Sequence, residues 1–252
     1  MDKDALLRKG AHPAFTPPDN IDVKIWRYMD LTQFVSMLEK KGLLFTRADL
    51  LDDKFEGTMS RPLRDFLDAK SPWVTQAHAG TLQLAKGWSF VNCWHMNEFE
   101  SVAMWKIYST SKDSVCLQST FARLRDVLPE DVYVGVVNYI SYDRDMIPAG
   151  INLWALTYKR KSFEHERELR ALWSNVNNMD CDGPPSDAYP DDYHPDPQEY
   201  VWKQAELGAL IESVYVSPTA RPWFLGLVKK VLEKYGLDVP VHQSDLAADP
   251  LY

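Results

Sequence analysis

Two patterns of apolar and polar positions interleave along the chain, and they predict strands alternating irregularly with helices. Alternation, or a run of β-branched and aromatic residues, predicts strands at 23–29, 43–46, 87–96, 114–119, 132–140 and 210–217. Apolar spacings of three and four residues predict helices at 61–70, 75–86 and after Asp30, Asn97, Thr120 and Thr219. The sequence therefore predicts a single α+β domain, built on a mixed or largely antiparallel sheet flanked by helices.

Two of the predicted helices begin with a capping box. Asp30 is followed three residues later by Gln33, and Asn97 by Glu100. In such a box the first side chain accepts a hydrogen bond from the backbone of the fourth residue, and the fourth side chain returns one. Asp30 and Asn97 are therefore predicted as N-caps.

Two segments lack both patterns. Residues 1–20 contain three prolines and predict an N-terminal arm ahead of a domain at 21–252. Residues 177–198 contain six aspartates, five prolines and no lysine or arginine, which predicts an acidic, proline-rich surface excursion. The alternative is a metal loop, because His194 lies close to Asp191, Asp192 and Asp196.

The segment Lys161–Trp173, which reads KSFEHERELRALW, carries the densest charge pattern. If it is extended, Glu164, Glu166, Glu168 and Arg170 share one face, because side chains alternate along a strand. We interpret it as a row of carboxylates ending in an arginine, on a core strand that borders a cleft. The alternative is a solvated face of charged residues.

Composition narrows the class of protein. A chain of 252 residues with 45% hydrophobic residues and nine tryptophans can bury a substantial core. Its net charge of −8 disfavours nucleic acid as a partner, and its three widely spaced cysteines form neither a disulfide framework nor a metal motif. No stretch has the length and apolarity of a membrane span. We expect a soluble, cytoplasmic protein.

Common nucleotide-binding and hydrolase motifs are missing, so candidate site residues come from polar groups near strand ends. Arg27 lies within an apolar strand, where a guanidinium needs a carboxylate or an anionic ligand; the alternative is a structural ion pair. Asp53 and Glu56 follow the second strand. They can bind a cation or a ribose hydroxyl, or they can cap the following turn.

An aromatic segment supplies the remaining candidates. Trp94, Trp105 and Tyr108 can stack a base or a nicotinamide ring, and His95 can exchange a proton. The alternative is an aromatic core with a histidine at its edge. We expect Cys93 to be a buried structural thiol, because no motif of a cysteine nucleophile accompanies it.

Four motifs resemble a bacterial family, the domain of unknown function twenty-nine seventy-one. The resemblance runs over about residues 24–246, through RYMDLTQFVSMLEKKGLLFTRADLLDDKFEG, NCWHMNEFESVAMWKIYS, KSFEHERELRAL and VYVSPTARPWF. Asp52 stands where the family has asparagine, and Lys54 where it has proline. The resemblance implies a prokaryotic source but no established activity.

The chain also resembles ADP-ribosyltransferase-like proteins in its order of a basic first strand, an aromatic middle segment and a late Glu-x-Glu. This resemblance implies that NAD lies across a split sheet as a substrate. By it Arg27 holds NAD, Trp94 and Tyr108 flank the nicotinamide, Glu168 is the catalytic acid and Glu166 assists. The chain departs from the pattern because it lacks the Ser-Thr-Ser motif and a clear His-Tyr pair.

Three hypotheses follow. The first is a nucleotide-acting enzyme with Glu168 and Glu166 as catalytic residues and with Arg27, Asp53, Glu56, Trp94, Trp105, Tyr108 and Arg170 binding a small-molecule nucleotide. The second is a non-catalytic module that binds a ligand or partner in a bacterial stress or phage-defence response. The third gives the charged strand a structural role. Convergence on an open cleft favours the first two, and ion pairing with Arg170 or Arg47 favours the third.

Overall fold

The computed structural model describes residues 11–109, 111–175 and 195–248. Within them, nine strands form one mixed, mostly antiparallel sheet, and two further strands pair in parallel. Helices pack against this sheet, so the predicted α+β class is confirmed. No helix of the described segments combines the length and apolarity needed to cross a bilayer.

The strands follow one another with helices or loops between most of them. Their bounds are β1 Lys24–Asp30, β2 Gly42–Arg47, β3 Ser89–Met96, β4 Ser114–Thr120, β5 Val132–Val136, β6 Asn138–Ile140, β7 Tyr158–Arg160, β8 Glu168–Ser174, β9 Tyr200–Gln204, β10 Ser213–Val216 and β11 Val241–Gln243. The sheet order is β11-β10-β4-β1-β3-β2-β9, and β8 pairs with both β3 and β5. Strands β10 and β11 are parallel, and the small second sheet consists of β6 and β7.

Helices occupy many of the connections. The α-helices are α1 Leu31–Lys40, α2 Arg61–Asp68, α3 Pro72–Gly87, α4 Val102–Tyr108, α5 Phe121–Val127, α6 Leu207–Leu210 and α7 Pro222–Lys234. Short 3-10 helices span Ala48–Leu50, Asn152–Thr157, Lys161–Glu166 and Asp245–Ala247.

Strand β3 is the branch point of the sheet. One of its edges pairs with β8, while the other pairs with β2 at Phe90 and Val91 and with β1 at His95 and Met96. Between these two pairings the edge is bridged by side chains. The Asn92 amide donates to the carbonyl of Leu44, and the Arg27 guanidinium donates to the carbonyl of Cys93 at 3.0 Å. The sheet therefore forks beside Arg27.

The two faces of β3 and β8 differ in kind. Trp94, Leu169 and Ala171 point into the largest apolar core. Because side chains alternate along a strand, Cys93, His95, Glu168 and Arg170 lie on the opposite face. The chemistry of the site is concentrated on that second face.

One predicted capping box is confirmed and the other is wrong. Asp30 accepts from the backbone of Gln33, whose side chain accepts from the backbone of Asp30. Helix α4, however, begins at Val102 with Ser101 as its N-cap. The reason is that the Asn97 backbone still donates to Lys24 and so extends the strand pairing. Thr219 is not an N-cap either, since α7 begins at Pro222.

The acidic row predicted over Lys161–Trp173 is wrong in its first half. Lys161–Glu166 forms a 3-10 helix, and Arg167 adopts a left-handed conformation with φ of 42°. Strand β8 begins only at Glu168, so Glu164 does not share the face of Glu168. The turn is held because the Arg167 backbone donates to Glu164, while the Arg167 guanidinium donates to Asn97 at 2.9 Å.

Part of the predicted N-terminal arm packs against the domain. Ala14 and Phe15 are buried, and the Val136 backbone donates to the carbonyl of Thr16. A Cβ added at Gly135 would lie 2.8 Å from the Phe15 backbone, so this close approach requires glycine. Residues 1–10 of the predicted arm lie outside the described residues.

The predicted acidic excursion at 177–198 lies outside the described residues except for 195–198. Asp196 is buried, and its carbonyl accepts a hydrogen bond from the guanidinium of Arg47 at 2.5 Å. Arg47 also donates to Asp49 at 2.6 Å. Arg47 therefore has a structural partner. His194, on which the metal alternative depends, is not among the described residues.

Candidate functional site

Five charged side chains meet on the second face of the sheet, beside the start of β8. We call this set the buried charge network; it consists of Glu56, Lys159, Glu166, Glu168 and Arg170. They come from the loop after β2, from β7, from the end of a 3-10 helix and from β8. Three carboxylates against two cations leave a formal charge of −1.

Arg170 holds the centre of the buried charge network. Its side chain is 1% exposed, and it donates to the Glu168 carboxylate through Nε at 2.6 Å and through Nη2 at 2.9 Å. Nη2 also donates to Glu56, and Nη1 donates to the carbonyl of Leu156 at 2.8 Å. Each of its three nitrogens thus has a protein acceptor. This arrangement favours a structural role for Arg170 over the ligand-binding role predicted from the sequence.

Lys159 joins the three glutamates. Its Nζ lies 2.5 Å from Glu166, 3.3 Å from Glu56 and 3.4 Å from Glu168. Burial by itself lowers the pKa of Lys159, but the Glu168 and Glu56 carboxylates outweigh it and raise that pKa. Lys159 therefore stays charged and limits the repulsion among the carboxylates.

The two glutamates predicted as catalytic differ in their surroundings. Burial raises the pKa of Glu168, but the Arg170 guanidinium outweighs this and lowers the pKa to about 2. Burial raises the pKa of Glu166, and the hydrogen bond from Lys159 only partly opposes the rise. The Glu166 side chain is also the more exposed, at 12% against 4% for Glu168. Two carboxylates whose pKa values are pushed apart are suited to different tasks.

The low pKa of Glu168 predicts an acid-dependent loss of stability. A carboxylate with a depressed folded-state pKa stabilises the fold above its unfolded-state pKa, and the contribution disappears as the pH falls towards the folded-state value. For Glu168 that window runs from about 4.5 down to about 2. Urea unfolding at pH 6, 4 and 3 should therefore show the stability gap between wild type and Glu168→Gln shrinking as the pH falls. A gap independent of pH would contradict the assignment.

His95 lies directly beside Glu166. Its Nδ1 is 2.6 Å from the Glu166 carbonyl, which can only accept, so Nδ1 carries the proton. Burial lowers the pKa of His95, which favours the neutral ring. Its Nε2 is then a bare acceptor, buried and without a hydrogen-bond partner among the described residues. His95 thus fixes the backbone of Glu166.

Tyr108 and Arg27 lie at the margin of the network. Tyr108 is 46% exposed, and burial together with the charges of Glu166 and Cys93 raises the pKa of its phenol. Burial also raises the pKa of the Cys93 thiol, with Glu168 adding to the effect, so the thiol stays protonated. Arg27 holds the carbonyl of Cys93 and lies 6.0 Å from the centre of the Trp94 ring.

Asp53 takes part in a separate contact next to the network. Its carboxylate forms an ion pair with Arg160 at 2.8 Å and accepts from the backbone of Phe55 at 3.1 Å. The Arg160 guanidinium in turn lies over the Phe55 ring, 4.5 Å from its centre. Asp53 therefore caps the turn that carries Glu56 into the network.

The structure does not bring the two predicted tryptophans to the network. Trp94 points into the apolar core on the other face, where its indole N–H donates to Asn92 at 2.7 Å. Trp105 packs on Tyr28, with ring centres 5.0 Å apart, and donates to Glu100. Because side chains alternate along a strand, Trp94 and His95 lie on opposite faces of β3. The order of these two residues in the sequence already predicts this.

Two residues of the site were not predicted from the sequence. Lys159 lies on β7 and is not among the candidate residues predicted from the sequence. The Tyr139 hydroxyl accepts from the Glu168 backbone at 2.8 Å and so fixes the start of β8. A signal for Lys159 exists, since the run Tyr158–Lys161 follows an apolar segment and resembles a short strand end. Nothing in the local pattern identifies the contact of Tyr139.

No protein-family model matches the chain, so the resemblance to the domain of unknown function is not confirmed; no curated protein matches it either. Among solved structures the chain is similar to DarT of Thermus sp. 2.9. The complex of that protein with NAD+ aligns with a TM-score of 0.42 and 11% identity, over 93% of this chain and 100% of that chain.

Two further complexes of the same DarT are similar. The complex with carba-NAD+ aligns with a TM-score of 0.39 and 8% identity, over 90% of this chain and 96% of that chain. The complex with ADP-ribosylated ssDNA has a TM-score of 0.41 and 10% identity, over 91% and 96%. The expectation that nucleic acid is disfavoured gains no support from these matches. TM-scores of this size establish neither a shared fold nor a shared activity.

Proposed function

We propose that the protein is a nucleotide-acting enzyme that cleaves the bond between ribose and nicotinamide in NAD, with Glu166 as the carboxylate that meets the substrate. The supporting observation is the contrast within the buried charge network. Glu168 and Glu56 are 4% and 2% exposed in their side chains, whereas Glu166 is 12% exposed at the edge. NAD is chosen because the motif order resembles ADP-ribosyltransferase-like proteins.

The proposed chemistry needs negative charge close to the reacting carbon. As nicotinamide leaves, positive charge develops on the ribose, and a fixed carboxylate stabilises that transition state. The network has a formal charge of −1, and the hydrogen bond and charge of Lys159 partly oppose the rise in the pKa of Glu166 that burial causes. The acceptor that attacks the ribose can be water or a hydroxyl group of a second substrate.

Two side chains at the margin of the network complete the proposed site. Tyr108 offers a half-exposed ring that can flank a planar group, and burial moves the pKa of its phenol further above neutral pH. Arg27 offers a cation at the fork of the sheet, where it can approach an anionic part of the nucleotide. Glu168, Glu56 and Arg170 then act as positioning residues that hold Glu166 through Lys159.

The first test is turnover by the wild-type protein. Incubation with NAD should release free nicotinamide, quantified by chromatography, and saturating NAD should raise the melting temperature because a ligand stabilises the state that binds it. Nicotinamide alone and adenosine are the ligand controls. If NAD neither releases nicotinamide nor shifts the melting temperature, the proposal is wrong.

A second candidate function is a non-catalytic module that binds a ligand or partner. The ion pairing of the five charges, with Arg170 and Lys159 contacting carboxylates at 2.5–3.4 Å, favours a structural role for the charged strand, and such a role is compatible with a module that has no catalytic carboxylate. The same assay separates the two candidates. A rise in melting temperature with NAD and no nicotinamide would support the binding module.

A further inference from the structure

A cavity of about 600 Å³ is lined by none of the five residues of the buried charge network. One wall is the side of α4 formed by Val102, Trp105, Lys106 and, just past its end, Ser109, whose spacing places them along one helix face. Residues 217–219 and Leu246 also line the cavity. This volume falls within the range of about 300–1,000 Å³ that is typical of small-molecule sites.

The charge of the cavity is opposite to that of the protein. Lys106 and Lys112 line it, no aspartate or glutamate does, and neither lysine forms an ion pair with a described residue. The whole chain carries a net charge of −8, so a cavity lined by two lysines and by no carboxylate differs in charge from the protein as a whole. Glu100 is a neighbouring carboxylate that contacts Trp105. One of its oxygens accepts a hydrogen bond from the Trp105 indole N–H, and the other accepts one from the backbone N–H of Asp245.

Hydroxyl groups supply further donors. Ser109, Ser111, Ser217 and Thr219 line the cavity. The Oγ of Ser109 is buried and has no hydrogen-bond partner among the described residues. A buried polar atom without a hydrogen-bond partner is costly.

The rest of the lining is apolar. Val102, Trp105, Pro218 and Leu246 form surfaces against which a planar apolar group can pack. A phosphate group has several acceptor oxygens and about two negative charges, which matches two ammonium groups and a set of hydroxyl donors. We propose that this cavity is a second binding site, which takes a small organic phosphate with a planar apolar body.

The test uses 1-naphthyl phosphate as the probe and isothermal titration calorimetry of the full chain. We expect binding that weakens at least tenfold in the double variant Lys106→Glu/Lys112→Glu and with added salt. Lys229→Glu/Lys230→Glu is the matched control, because both residues are exposed lysines on α7. Glu166→Gln should also keep full affinity, which separates this site from the proposed catalytic one.

Three results would overturn the proposal. The first is full affinity in the Lys106/Lys112 variant, and the second is the absence of binding to wild type at millimolar probe. The third is equal affinity for 1-naphthol, which lacks the phosphate. Because Lys106 and Lys112 are both exposed, the variant should fold, and its unchanged melting temperature verifies this.

Discussion

Replacing Arg170 by methionine is expected to lower the free energy of unfolding by about 3–5 kcal/mol, the range for removing one partner of a buried ion pair. The guanidinium is 1% exposed and contacts Glu56 and Glu168, which are 2% and 4% exposed. Without the guanidinium both carboxylates stay buried, and Lys159 is the one cation of the network that remains to pair with them. Urea unfolding followed by circular dichroism measures the change.

A matched control isolates the effect of burial. Arg64→Met removes an arginine whose partner Asp68 is also on the surface, with side-chain exposures of 68% and 41%. Exposed pairs contribute about 0–1 kcal/mol, so this variant should be close to wild type. Equal losses for both variants would show that the buried charge network does not stabilise the fold.

Glu166→Gln is expected to lower the rate of nicotinamide release by about 10²–10³-fold, the loss typical of removing one electrostatic contact to a transition state. The substitution keeps the shape of the side chain and removes its charge. Its melting temperature should change little in comparison with Arg170→Met, because Glu166 lies at the edge of the network and, among the described residues, forms an ion pair with Lys159 alone. Both quantities are measured on the same preparation.

Glu164→Gln is the control for this prediction. Glu164 lies on the same 3-10 helix and is exposed, so the variant removes a nearby charge without touching the network. It should keep wild-type activity. Should Glu166→Gln keep wild-type turnover as well, Glu166 would not be the carboxylate that meets the substrate.

The pattern of apolar and polar residues along the sequence predicted most of the fold, because most strands and helices follow that pattern. Alternation located β1, β3 and the second half of Lys161–Trp173, where β8 begins at Glu168. The Asp30–Gln33 capping box located the start of α1. Alternation also placed Glu168 and Arg170 on one face, which is why their ion pair could be anticipated. The interleaving of these elements was sufficient to predict the α+β class.

The errors lie where a tertiary contact overrides the local pattern. Arg167 turns the chain through a left-handed conformation that alternation cannot signal, and its guanidinium is held by Asn97, 70 residues away in sequence. Arg170 meets Glu56 across 114 residues, so no spacing rule could link them. The site was therefore predicted as a row on one strand, whereas it is a network assembled from four parts of the chain.

The most direct test of the account is a crystal structure of Glu166→Gln with bound NAD, since the variant should bind NAD without turning it over. We predict that the ribose attached to nicotinamide lies within hydrogen-bond distance of the residue-166 side chain, roughly 3 Å, with Tyr108 beside the nicotinamide ring. NAD bound elsewhere, for instance beside Lys106, with no contact to residue 166, would contradict the central claim.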